Sequence, residues 1–104
     1  MADDQPGRRI IVEEETENEL KEPPMYRVLL HNDNFTTMEF VVEVLQRVFY
    51  KALSEATKIM LSVHNRGSGT CGVYPAQIAE TKVDAVHQLA WQNGFPLRCS
   101  IEET

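Results

Sequence analysis

Two cysteines, Cys71 and Cys99, are all that this 104-residue chain contains. They are too few for a disulfide framework, and neither belongs to a C-x-x-C pair or stands near ligand-spaced histidines that would suggest zinc. A reducing, intracellular compartment is therefore expected. No apolar run approaches the roughly 20 residues that a membrane-spanning helix requires. Residues 1–7 are acidic and polar where a secretory signal would be basic and then apolar. The chain thus reads as soluble and cytoplasmic. Also lacking is any surplus of base, since ten Lys and Arg stand against sixteen Asp and Glu, a formal net charge of -6.

That charge is unevenly placed. Residues 1–24 hold eight acids and three bases, whereas residues 25–104 hold eight and seven. Neither stretch offers the basic stripe that neutralising phosphates demands, so nucleic acid is not an expected partner. The first stretch has no aromatic residue and cannot bury enough apolar surface to offset its ordering entropy, and Pro23-Pro24 stops any helix from running on. Residues 1–24 are expected to form a disordered acidic extension. Residues 25–104 are expected to form one domain, of a size at which a single core stands without staples.

Catalytic signatures are missing too. There is no Gly-rich phosphate loop, no H-E-x-x-H and no G-x-S-x-G. A thiol and base can be drawn from Cys71 and His64, but Cys71 sits mid-strand among apolar neighbours, where cysteine is usually a small buried hydrophobe. No enzymatic activity, cofactor or metal is expected.

What is present is a clear succession of elements. Residues 26–30 (YRVLL) read as a strand. A polar tetrad, His31-Asn32-Asp33-Asn34, follows. Thr36 with Glu39 three positions on makes a capping box, and Met38, Val41, Val42, Leu45, Val48 and Phe49 give a helical stripe to about Lys51. Ser54 can cap a second helix with Ala56, Ile59, Met60 and Val63 inward, ended by Gly67. The segment SGTCGVYP (68–75) reads as a strand whose glycines allow a bulge or close approach. Pro75 opens a third helix with the stripe Ala79, Val83, Val86 and Ala90, ended by Gly94. Alternation at Leu97, Cys99 and Ile101 gives a last strand. The order β-α-α-β-α-β implies an α+β (α/β) two-layer sandwich, a three-stranded antiparallel sheet covered by three helices.

The stretches PPMYRVLLHNDNFTTMEFVVEVLQRVF, EATKIMLSVHNRG, CGVY, AETKV and PLRC together resemble the ClpS family, in the family's order and spacing from Pro23 to about Glu102. Members of that family are adaptors that pass N-degron substrates to the ClpA unfoldase of the ClpAP protease. The resemblance implies a pocket for the free amino end of a protein beginning with Leu, Phe, Tyr or Trp. Residue by residue, it assigns Asn32, Asp33 and His64 to the α-amino group, and Thr36, Met38, Val41, Met60, Val63 and Leu97 to the side-chain pocket. Met38 would be the gate against β-branched first residues. It also implies docking of the unfoldase at Glu80 and Lys82 within AETKV, with the acidic extension engaged during handover, and a protein that is expected to be a monomer. Two positions depart from the family pattern: Asn34 replaces a second aspartate, and Thr37 replaces a proline.

The chemistry of these residues is consistent with that assignment. An ammonium carries three donors and no acceptor, so a site for it needs acceptors converging from several directions. A loop Asn and Asp with a helical imidazole nitrogen can supply them. The bland readings are a turn-and-cap cluster for Asn32 and Asp33, core filling for Met38 and Met60, a structural histidine for His64, and an ordinary solvated charge pair for Glu80 and Lys82. Gln77 stands where relatives often carry an acid. The rival from another class is a structural module of a larger assembly, since a small domain of similar shape occurs in a ribosomal stalk protein.

Overall fold

A computed structural model describes residues 23–104. Most of the expected acidic extension, residues 1–22, lies outside the described residues. Six elements follow one another: β1 Met25–His31, α1 Met38–Arg47, α2 Leu53–Arg66, β2 Ser68–Pro75, α3 Ala76–Gln92 and β3 Arg98–Glu103. The expected order is the observed one. The sheet runs β2-β1-β3 with both pairings antiparallel, so the first strand is central.

Strand β1 alternates. Val28 and Leu30 are fully buried, while Arg27, Leu29 and His31 take the opposite face. Arg27 lies opposite Glu102 and pairs with it at 2.7 Å across the strands. Beside Val28 and Leu30, Cys71 of β2 and Cys99 of β3 are buried as well. Over them pack Phe40, Val41, Val44 and Leu45 of α1, Ala56, Ile59 and Val63 of α2, and Ala79, Val86 and Ala90 of α3. Each fully buried Val or Leu contributes about 1.5–3 kcal/mol.

Two features of β2 set where α2 lies. Val28 pairs with Gly72 but Leu29 with Thr70, so Cys71 is the extra residue of a bulge. Nearby, a Cβ at Gly69 would stand 2.9 Å from Val63 Cγ2 and 3.1 Å from the Ile59 carbonyl oxygen. Only a residue without a side chain lets α2 approach the strand this closely. Gly67 then reverses the chain at φ 94°, in the left-handed region, and its N–H closes the helix on the Val63 carbonyl.

Helix ends depart from the sequence expectation in three places. Thr37, not Thr36, caps α1, accepting the Phe40 N–H at 3.1 Å, because Asp33 already engages Thr36. Helix α1 ends at Arg47 rather than near Lys51: Tyr50 takes φ 56°, and the Lys51 N–H turns back to the Leu45 carbonyl. Helix α2 starts at Leu53, one residue before the expected cap Ser54, after an Ala52 that makes no side-chain cap. The stripe of α1 is also rotated. Phe40 and Val44 are buried, whereas Met38 is 46% exposed.

Candidate functional site

Residues 32–37 carry the chain from β1 into α1, and Asp33 fixes their path. Its Oδ1 accepts the backbone N–H of Phe35 at 2.8 Å and of Thr36 at 2.7 Å, and its Oδ2 accepts the Thr36 hydroxyl at 2.7 Å. Partial burial opposes the charge, but the three hydrogen bonds outweigh it and hold the carboxyl below its ordinary value. Asp33 is therefore ionised at neutral pH. A carboxylate has about four lone-pair sites, so one on Oδ2 is left for an outside donor.

The turn is tied to α2 as well. The Asn32 N–H donates to the Gly67 carbonyl at 2.9 Å, just beyond the helical turn that carries His64. Between turn and helices opens a cleft of about 470 Å³. Asn32, Asp33 and His64 contribute polar lining from the turn and from α2. Met38 and Val41 of α1 and Met60 and Val63 of α2 contribute apolar lining, with Thr36 beside Asp33. Met60 and His64 stand one turn apart on α2, on one face.

Eight of the nine expected pocket residues thus come together. Leu97 does not line this cleft: it is 3% exposed and lies in the core cluster. Four further residues, Asn34, Phe35, Thr37 and Glu39, complete the lining; of these only Asn34 and Thr37 are singled out in the sequence, as departures from the family pattern. Phe35 is 76% exposed, and a lone aromatic inside the polar run HNDNFTT was the available signal. His31 belongs to the sheet, its Nε2 2.6 Å from Ser100 Oγ.

The expected docking pair divides between two environments. Glu80 is exposed, but Lys82 donates to the Val48 carbonyl at 2.7 Å and sits 4.6 Å from the Tyr50 ring centroid. Two residues apart on a helix, they point about 160° away from each other. Lys82 therefore also secures the end of α1.

A thiol catalyst gains no support. Burial pushes the Cys71 thiol far up and the Cys99 thiol up to about 12, so neither provides a thiolate at neutral pH. Among the described residues no group of three or more His, Cys, Asp or Glu is arranged to hold a metal ion, and no helix is long and apolar enough to cross a membrane.

Comparison with known proteins points in one direction. Residues 21–100 match the family model described as ATP-dependent Clp protease adaptor protein ClpS. The chain is 65% identical over 80 residues to the ATP-dependent Clp protease adapter protein ClpS of Desulfatibacillum aliphaticivorans, covering 77% of each chain. It is 60% identical over 87 residues to the protein of that name from Nitratidesulfovibrio vulgaris, covering 84% of this chain and 87% of the relative. Agrobacterium tumefaciens ClpS2, solved bound to L-phenylalaninamide, superposes with a TM-score of 0.77 at 36% identity, covering 80% of this chain and all of that one.

Proposed function

The chain belongs to the ClpS family of ATP-dependent Clp protease adaptor proteins, and from that premise we propose that it captures proteins through a free N-terminal Leu, Phe, Tyr or Trp. It delivers them, as a non-enzymatic cytoplasmic monomer, to the ClpA unfoldase of ClpAP. The observation that carries this reading is the cleft in which Asn32, Asp33 and His64 accompany Met38, Val41, Met60 and Val63. L-Phenylalaninamide, bound by the Agrobacterium relative, joins a free amine to an aromatic side chain, the two groups such a cleft would take.

In this mechanism the ammonium donates to the free lone pair of Asp33 Oδ2, the Asn32 side-chain carbonyl and an imidazole nitrogen of His64. The side chain enters between the methionines. Hydrogen bonds to a charged group contribute about 1.5–3 kcal/mol each, and burying a Leu or Phe side chain about as much. Association costs at least about 4 kcal/mol, so neither half binds well alone and micromolar affinity follows. An adaptor needs such reversibility, since it must release what it captures.

Glu80 and the Lys82 region serve the unfoldase on another part of the surface, and the acidic extension is engaged at handover. A reconstituted assay tests this. ClpAP should degrade a reporter beginning with Leu faster when this protein is added, but not the same reporter beginning with Met. Removal of residues 1–21 should leave peptide binding intact and reduce degradation. Equal rates for the two reporters would reject the function, and equal loss of binding and degradation would reject the role of the extension.

A further inference from the structure

Met38 and Met60 line a second cleft as well, of about 410 Å³, completed by Glu39 and Val42 of α1 and Leu53 and Thr57 of α2. The two methionines are thus a wall shared by both clefts. Leu53 is 61% exposed and Met38 46%, leaving apolar surface beside the first cleft without a partner among the described residues.

Because Met38 and Met60 line both clefts, the two are immediate neighbours. In an extended chain, alternate side chains point the same way and are spaced about 6.5–7 Å apart, so adjacent clefts on one surface suit the first and third residues. From this adjacency we propose that the second cleft receives the side chain of the third residue of a captured N-terminus and selects an apolar one. The proposal rests on the reading of the first cleft given under Proposed function.

The chemistry of the occupant follows from the lining. Val42, Leu53 and two methionines present aliphatic carbon and thioether sulfur, and the unbranched methionines adapt to occupants of differing shape. Leu, Met or Phe at the third position suits such a surface. The second residue, on the opposite side of an extended chain, points away and is not selected.

Fluorescence anisotropy with peptides beginning Leu-Ala-Ala, Leu-Ala-Leu and Leu-Leu-Ala tests this. Leu-Ala-Leu should bind about fivefold tighter than Leu-Ala-Ala, the worth of a partly buried leucine, and Leu-Leu-Ala should gain nothing. In Leu53→Ser, a change outside the core whose fold is checked by circular dichroism, the ratio of Leu-Ala-Leu to Leu-Ala-Ala should fall toward one. If Leu-Ala-Ala binds but the third residue has no effect, or its gain survives Leu53→Ser, the inference is overturned while the first cleft stands. A gain at the second residue instead overturns the spacing argument. Dimerisation abolished by Leu53→Ser, without third-residue preference, assigns the cleft to a second copy and overturns it too. If no peptide binds, the function itself is rejected.

Discussion

Thr36 gives both its hydroxyl and its backbone N–H to Asp33, to Oδ2 and Oδ1 respectively, each at 2.7 Å. This one pair fixes the turn, displaces the helix start by one residue and leaves a single acceptor position free on Oδ2 of a residue that lines the cleft. Because hydrogen bonds hold the Asp33 carboxyl below 3.8, its ordinary value, its contribution to stability is present above that value and is lost as the pH falls through the lower folded one. Asp33→Asn should therefore lower stability at pH 7 by about 1 kcal/mol. The difference from the parent should close in strong acid, as read by thermal melts across pH.

The two adjacent threonines should separate cleanly. Thr37→Ala removes the cap on Phe40 N–H and should lower stability by about 1 kcal/mol in urea unfolding. Thr36→Val removes a bond to Asp33 instead and should weaken peptide binding. The reverse pattern would place the cap at Thr36.

Gly69→Ala brings a methyl within 2.9 Å of Val63 Cγ2 and 3.1 Å of the Ile59 carbonyl, so α2 must move off β2. A loss of about 1–3 kcal/mol is expected. Met60 and His64 ride on the same helix, and peptide affinity should fall with it. Unchanged affinity would show that the cleft does not depend on this close approach.

Much of this was legible in the sequence, and the exceptions have physical causes. Apolar periodicity marked the three helices and the last strand, since each must bury one face, and composition marked the first two strands. The start of α1 was misplaced by one residue because Thr36 and Thr37 are equivalent cappers until Asp33 engages one of them. The burial of Phe40 and Val44 was missed because a stripe of α1 drawn through Met38 and Val42 differs by only a small rotation. Leu97 carried an apolar pattern that suits core and pocket alike, and only the tertiary packing assigns it to the core. The engagement of Lys82 by Val48 and Tyr50 joins residues more than 30 positions apart, for which local sequence holds no sign.

That engagement separates the two proposed docking residues. Lys82→Ala should lower stability by about 1 kcal/mol, losing the bond to the Val48 carbonyl and the Tyr50 ring. Glu80→Ala, at an exposed position, should stay within about 0.5 kcal/mol. Both should slow delivery to the unfoldase, so a delivery defect in Glu80→Ala without a shift in melting is the cleaner sign of a docking contact.

Met38 stands between the two clefts, and its truncation enlarges the space available to the first residue. Met38→Ala should widen acceptance to peptides beginning with Ile or Val more than it changes binding of Leu. Continued exclusion of Ile would remove Met38 as the filter.

The most direct measurement is a titration of one fluorescent peptide beginning with Leu in two forms, with its amino group free and with it acetylated. Acetylation leaves the side chain intact, removes the positive charge and blocks the donors that Asn32, Asp33 and His64 would receive. Micromolar binding of the free peptide and near-complete loss for the acetylated one is the expected result. Equal affinity for both would contradict recognition of the amino group.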